Sequence, residues 1–120
     1  MRTMTKQCLA LVCTMLSLAC AAQTDSVISR IFLIGDAGEL HDGKHEVVDW
    51  LSQHVDWKDS FNTVIYLGDN VYPYGMPMKS KSAEYQQAKA IIDYQVSLTK
   101  GKAGRTFFIP GNHDWMNGKI

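Results

Sequence analysis

Three short apolar runs, each followed at once by a glycine-containing polar loop, constrain this chain more than any other feature. The runs occupy residues 31–34, 63–67 and 106–109. A continuous apolar run of this length is typical of a strand that is buried on both faces. Helix-length segments separate the runs, so the order of elements is β, α, β, α, β. This order predicts an α/β fold with a mostly parallel sheet and right-handed crossovers.

The two segments between the runs show helical spacing. In residues 44–54 the apolar side chains recur at intervals of one, three and four, which predicts a helix with one buried stripe. That stripe consists of Val47, Val48, Leu51 and Val55. The second helix is predicted from about Ala83 to Leu98, with Ser82 as its N-cap. Its predicted buried face consists of Ala88, Ile91, Ile92 and Gln95.

Each loop after a strand carries an oxygen-bearing side chain, namely Asp36, Asp69 or Asn112. The carboxyl ends of parallel strands meet at one edge of a sheet, which is where ligands bind in open α/β folds. Taken singly, an acid beside a glycine after a strand is a common turn. The joint occurrence, in this order and each after a buried strand, instead favours a site for an ion or a phosphate.

These loops resemble the first three motifs of the calcineurin-like metallophosphoesterases, and within that family the purple acid phosphatase type. The first motif is Asp36-Ala37-Gly38, with glycine where most members have histidine, and the second carries Tyr72 three places after Asp69. In the purple acid phosphatase pattern these two departures occur together, since the tyrosine supplies the ligand that the missing histidine would have given. The resemblance implies that the chain is the N-terminal β-α-β-α-β part of an αββα sandwich.

The resemblance also implies a site with two metal ions. Asp36 and Tyr72 would bind the first ion, Asp69 would bridge both, and Asn112 would bind the second. One carboxylate has two oxygens and can hold two cations about 3.5–4 Å apart. A phenolate is a hard anionic donor, which favours iron at the first site, and iron, zinc or manganese is expected at the second. Tyr74 competes with Tyr72 for the ligand position, and both tyrosines could instead pack within the loop.

His113 and Asp114 complete the third motif. By the resemblance they lie beside the phosphate, where the imidazole steadies a substrate oxygen or protonates the leaving group and the carboxylate orients the ring. The alternative is an ordinary hydrogen bond at the surface. The other histidines match no motif and are expected to be solvated: His41, His45 and His54.

The resemblance implies that the complete protein hydrolyses a phosphate ester by attack of a metal-bound hydroxide. Family members complete their metal sites with later histidine motifs, which this sequence lacks. Residues 27–120 are therefore expected to be an incomplete phosphoesterase domain that is inactive by itself. One alternative is a non-catalytic binding module on the same fold. A nucleotide-binding α/β domain is disfavoured, because the first loop has neither a dinucleotide glycine pattern nor a P-loop lysine.

Residues 1–22 have the order of a secretory signal, with a cationic start, an apolar run and small residues at the end. Cleavage after Ala21 or Ala22 predicts an exported protein, and attachment to a membrane is expected only if Cys20 is instead acylated. All three cysteines lie in this segment, so no disulfide framework is expected in the mature chain. The remaining 98 residues contain ten basic and twelve acidic side chains, which argues against nucleic-acid binding.

Overall fold

The computed structural model describes residues 26–116, which form three strands and two helices in the predicted order. The elements are β1 (Arg30–Ile34), α1 (Glu46–His54), β2 (Asn62–Tyr66), α2 (Ala83–Val96) and β3 (Arg105–Phe108). β2 is the central strand, and both neighbours pair with it in parallel. The α/β prediction is therefore confirmed.

Two sequence-based predictions extend beyond this part of the chain. The predicted signal, residues 1–22, lies outside the described residues, and so do the last four residues of the predicted domain, 27–120. Among residues 26–116, no helix is long and apolar enough to cross a bilayer.

One face of the sheet carries the core. Leu51 of α1 belongs to the same core cluster as Tyr66 of β2. The hydroxyl of Tyr66 also donates to the main-chain carbonyl of Gln95 in α2, so both helices pack on the same face. Trp57 is buried in this layer, and its indole N–H donates to the carbonyl of Leu51 at 3.1 Å. The buried core residues are Ile34, Ala37, Val48, Leu51, Trp57, Val64, Tyr66 and Leu98.

The opposite face of the sheet is apolar, yet no described element covers it. Leu33, Ile65 and Phe107 are register partners across the three strands. Leu33 is 62% exposed and Phe107 is 53% exposed, as is the neighbouring Ile31 at 60%. The prediction that the strands are buried on both faces is therefore wrong for residues 26–116, because both crossovers lie on one side.

Helix α1 differs from its predicted form at two positions. His45 is its N-cap, and the ring Nδ1 accepts a hydrogen bond from the Val48 N–H at 3.4 Å, although the sequence predicts a solvated histidine. Val48 and Leu51 are buried, but Val47 is 49% exposed. The predicted stripe is wrong at Val47, since the helix turns that position away from the sheet.

Helix α2 has the predicted cap and the predicted buried face. The hydroxyl of Ser82 accepts a hydrogen bond from the Tyr85 N–H at 3.1 Å, which satisfies one of the free donors at the helix start. Ala88, Ile91 and Gln95 are buried, and Ile92 is half-buried. Gln95 is a polar side chain inside this layer, so its hydrogen-bond partners matter for the loops above it.

Ile34 and Leu33 are neighbours in β1 that face opposite sides of the sheet, which makes them a matched pair for locating the core. We expect Ile34→Ala to lower the free energy of unfolding by about 2–5 kcal/mol, because it leaves a cavity among buried side chains. Leu33→Ala should lower it by less than about 1 kcal/mol. Urea denaturation of the chain and its two variants measures both values. Equal losses would contradict a core on one face only.

Candidate metal centre

Three loops follow the carboxyl ends of the strands and lie side by side at one edge of the sheet. We call residues 35–40 the first loop, residues 67–75 the second loop and residues 109–114 the third loop. The second and third loops approach so closely that a Cβ on Gly68 would lie 2.9 Å from the Cα of Gly111. The chain therefore gathers its three polar loops in one place, as the strand order requires.

The first and second loops share direct main-chain hydrogen bonds. The N–H of Asp36 donates to the carbonyl of Gly68 at 3.3 Å, and the N–H of Tyr72 donates to the carbonyl of Gly38 at 2.9 Å. The phenol of Tyr72 then donates to Asp36 Oδ1 at 2.8 Å and lies 3.2 Å from Asp69 Oδ2. The side chains predicted to surround the first metal ion thus lie within hydrogen-bond distance of one phenol oxygen.

Gly38 allows this arrangement because it has no side chain. A Cβ at that position would lie 2.5 Å from the carbonyl oxygen of Asp69, 2.8 Å from the nitrogen of Tyr72 and 2.9 Å from its ring. Real Cβ atoms do not approach other heavy atoms so closely. Any larger residue at position 38 would therefore displace Tyr72 from the two carboxylates.

The two carboxylates hold Tyr72 in its neutral form. Its pKa is raised well above the ordinary tyrosine value, chiefly by the hydrogen bond to Asp36, then by desolvation and by the negative charges of Asp36 and Asp69.

Both acids have left-handed backbone conformations, with φ of 54° at Asp36 and 52° at Asp69. Non-glycine residues adopt this region rarely, and such strain is concentrated at functional sites.

The other oxygen of Asp69 faces the third loop. Asp69 Oδ1 accepts a hydrogen bond from the N–H of His113 at 3.1 Å. Gly111 lies so close to the Asp69 side chain that a Cβ there would overlap Asp69 Oδ1. Asn112 lies between Gly111 and His113 in the sequence and is exposed. Asp69 is thus positioned between the first loop on one side and the third loop on the other.

His113 is held by the second loop. Its Nδ1 lies 2.7 Å from the carbonyl oxygen of Pro73, and its ring meets the ring of Tyr72 edge to face at 4.7 Å. A carbonyl oxygen only accepts, so Nδ1 carries the proton in this contact. With Nδ1 on the Pro73 carbonyl, the other ring nitrogen, Nε2, is directed away from Pro73.

Asp114 has a different role from the predicted one. Its carboxylate accepts hydrogen bonds from the main-chain N–H groups of Asn70 at 2.9 Å, Val71 at 3.1 Å and Gly111 at 2.8 Å. The side-chain amide of Asn70 also donates to it, at 2.8 Å. The hypothesis that Asp114 orients the ring of His113 is therefore wrong, because Pro73 fills that position and Asp114 instead joins the third loop to the second.

Sequence reasoning missed Asn70, which directly follows Asp69. Asn70 is 5% exposed, and its amide donates to the carbonyl of Ile109 at 2.8 Å in addition to Asp114. Asparagine is common in turns, so the position of Asn70 did not predict a buried, hydrogen-bonded side chain.

Tyr74, the alternative to Tyr72 for the ligand position, is 56% exposed.

The cluster around the phenol of Tyr72 is rich in oxygen donors. Within residues 26–116, no three His, Cys, Asp or Glu side chains gather into a group that could hold a metal ion. The cluster around Tyr72 contains two carboxylates and a phenol, so it has two side chains of these four types and not three.

His41 and His54 are exposed, as the sequence predicts.

Asp114→Asn tests whether this carboxylate holds the loops together. We expect the variant to lose about 1–3 kcal/mol of unfolding free energy, because an amide would present N–H groups to N–H groups and leave buried donors unpaired. Asp42→Asn, a change in an exposed turn, is the matched control and should have almost no effect. Urea denaturation measures both. A neutral Asp114→Asn would show that the carboxylate does not hold the loops.

Tyr72 should ionise at higher pH than an ordinary tyrosine. Because folding raises its pKa, the resulting stability is present below the ordinary tyrosine pKa of about 10 and is lost as the pH rises through the raised value. Near-ultraviolet absorbance of the chain, minus that of Tyr72→Phe, isolates this titration. Asp36→Asn should lower the pKa of Tyr72, since it removes the largest cause of the shift. Asp93→Asn is the control, and equal Tyr72 pKa values in the two variants would contradict the assignment.

Comparison with known proteins agrees with this geometry. The sequence model of the calcineurin-like phosphoesterases matches residues 29–120, which is most of the chain. No curated protein and no solved structure gives a significant match. The family match includes all three loops at the sheet edge, and it shows that the chain belongs to the calcineurin-like phosphoesterase family.

Proposed function

We propose that this chain is part of an exported phosphoesterase that hydrolyses a phosphate ester with two metal ions, and that it is of the purple acid phosphatase type. Family membership supports phosphate esters as substrates and phosphoric ester hydrolysis as the reaction in general. Proteins of this family usually bind two metal ions. The arrangement of the three loops supports the more specific proposal.

The observation that carries the proposal is the position of Asp69. One of its oxygens, Oδ2, faces the phenol of Tyr72, which also contacts Asp36. The other, Oδ1, faces the main chain of the third loop at His113. This position between two loops supports the proposal that Asp69 would be the ligand shared by the two metal ions.

The residues on the first-loop side fit a hard, highly charged cation. Asp36, Asp69 and Tyr72 supply carboxylate and phenol oxygens, which suit such an ion better than a soft one. The ring of Tyr72 occupies the space into which a side chain at position 38 would project. This exclusion supports the purple acid phosphatase type, in which glycine and tyrosine replace a histidine, and it supports iron at this position.

On the third-loop side, Asp69 and Asn112 would hold the second ion, which we propose to be iron, zinc or manganese. When bound there, two metal ions would activate the attacking water and neutralise charge on the phosphoryl group. The chain's own contribution is to fix Asp69 between the loops. The Asp114 hydrogen bonds to Asn70 and Gly111 provide that rigidity.

We assign proton transfer to His113. Because the Nδ1 proton is directed to the Pro73 carbonyl, Nε2 is the nitrogen that can donate to a leaving-group oxygen once the ring is protonated. The ring is held in place by Pro73 and by its edge contact with Tyr72. Asp114 acts on the loops and does not contact this ring through any of the hydrogen bonds described above.

The uncovered apolar face of the sheet supports the proposal that residues 27–120 are the N-terminal part of a larger domain. Leu33, Ile65 and Phe107 form a row of apolar side chains on that face. A second sheet packed there would bury them and give the αββα sandwich implied by the sequence.

Export, or a lipid anchor at Cys20, is proposed from the sequence of residues 1–22 alone.

Phosphatase activity of the complete protein on a generic aryl phosphate tests the proposal. We expect Asp69→Asn to lower kcat/KM by more than about a hundredfold, since loss of a ligand should exceed the 10–100-fold cost of losing a group that only supports one. Asp93→Asn, an exposed carboxylate paired with Lys89, is the matched control and should keep the activity. Equal rates for wild type and Asp69→Asn would overturn the mechanism.

The 120-residue chain provides the second arm of that experiment. Within residues 26–116, Asp69 and Asn112 are the two proposed ligands of the second ion, so we expect no appreciable turnover from this chain by itself. Robust turnover that survives Asp69→Asn would show that the reaction uses other residues.

A further inference from the structure

Gln95 lies beneath the candidate metal centre and belongs to a helix, α2, that supplies none of the proposed ligands. Its side chain is completely buried. The amide nitrogen Nε2 donates to the carbonyl of Ala37 in the first loop at 2.7 Å and to the carbonyl of Asn70 in the second loop at 2.9 Å. One side chain therefore contacts the main chain of both loops.

The two carbonyls that Gln95 contacts are adjacent to the proposed ligands. Ala37 directly follows Asp36, and Asn70 directly follows Asp69. Both ligand residues have left-handed backbone conformations, so the peptide groups that follow them have defined directions. A group that fixes those carbonyls thus acts on the two positions from which the carboxylates project.

Glutamine suits this position because its amide has two N–H donors on one nitrogen. A buried carbonyl without a partner is costly, and a methionine or leucine of similar size would leave both carbonyls without this donor. The helix is itself fixed to the sheet at this point, since the hydroxyl of Tyr66 in β2 donates to the main-chain carbonyl of Gln95 at 3.1 Å. The contacts run from the central strand through α2 to the two loops.

We propose that Gln95 is a positioning residue that sets the spacing between the first and second loops, and hence between Asp36 and Asp69. The consequence for metal binding and hydrolysis rests on the proposed function. The spacing itself is a property of the folded chain and does not depend on that function. The hydrogen bonds described for the Gln95 side chain go to main-chain carbonyls of the loops, so it acts on the ligands through the loops.

Amide hydrogen exchange of the 120-residue chain, followed by NMR, tests the spacing. The N–H groups of Asp36 and Tyr72 donate across the two loops and report on their contact. We expect Gln95→Met to speed exchange at both by about tenfold while the amides of β2 keep their rates. Uniform acceleration throughout the chain, or no change at the two loop amides, would overturn the proposal.

Thr99→Val is the matched control for loss of a buried hydrogen bond. The hydroxyl of Thr99 contacts the hydroxyl of Thr106 in β3, so the substitution removes a contact near the end of α2 that does not involve the loops. We expect the exchange rates of the Asp36 and Tyr72 amides to remain at wild-type values. Equal acceleration by Thr99→Val and Gln95→Met would show that Gln95 has only a general structural role.

Mn²⁺ binding by the complete protein, measured from the electron paramagnetic resonance signal of the free ion, connects the spacing to the proposed site. Gln95→Met should weaken Mn²⁺ binding by about tenfold, in the range known for groups that support metal ligands. In an Asp36→Asn background the same change should have little further effect, because the residue it positions has been altered. Equal weakening in both backgrounds would overturn positioning through Asp36.

The two measurements separate the failure of one proposal from the failure of the other. Faster exchange at the loop amides in Gln95→Met, together with no Mn²⁺ binding by wild type, would refute the metal site and support the loop spacing. If Gln95→Met does not fold, the wild-type chain decides the question. The side-chain amide protons of Gln95 must then exchange more slowly than those of the exposed Gln53 and Gln87, and equal rates would overturn the proposal.

Discussion

The hydrogen bonds of Asn70 hold the candidate centre together, because they join the second loop to the third loop and to α2. The main-chain N–H donates to Asp114 of the third loop, and the main-chain carbonyl accepts from Gln95 of α2. The side-chain amide donates to the carbonyl of Ile109. In a site of low dielectric such bonds are strong when complete and costly when broken. Asp69 is the preceding residue, so its position follows from this network.

The network explains how a chain can keep two acids in left-handed conformations. Asp36 and Asp69 each lie in a loop that follows a strand and have positive φ, a conformation that costs free energy for residues other than glycine. Main-chain bonds between the loops and the Gln95 contacts resist relaxation of both turns. The strain is therefore sustained by the core beneath the loops, through α2 and the central strand.

The sequence was informative where structure depends on local pattern and uninformative where it depends on distant partners. The strands, the helix cap at Ser82 and the gathering of three loops follow from apolar runs, capping chemistry and strand order. The exposure of Val47 was not predicted, since both Val47 and Val48 fit a helical stripe and only the direction of α1 decides between them. The partner of Asp114 was also unpredictable, because it lies 44 residues away along the chain at Asn70.

The protonated phenol of Tyr72 explains how two carboxylates can lie close to the same point in the centre. Asp36 and Asp69 both lie within hydrogen-bond distance of its oxygen, and two carboxylates so close to one point repel each other. The phenol proton reduces that repulsion, and the pKa of Tyr72 is raised, chiefly by the hydrogen bond to Asp36. A cation bound to the same three oxygens would do this more effectively and would release the proton. The hydrogen-bonded triad therefore has the charge arrangement of a cation site, with a proton in the position that the proposed function gives to a metal ion.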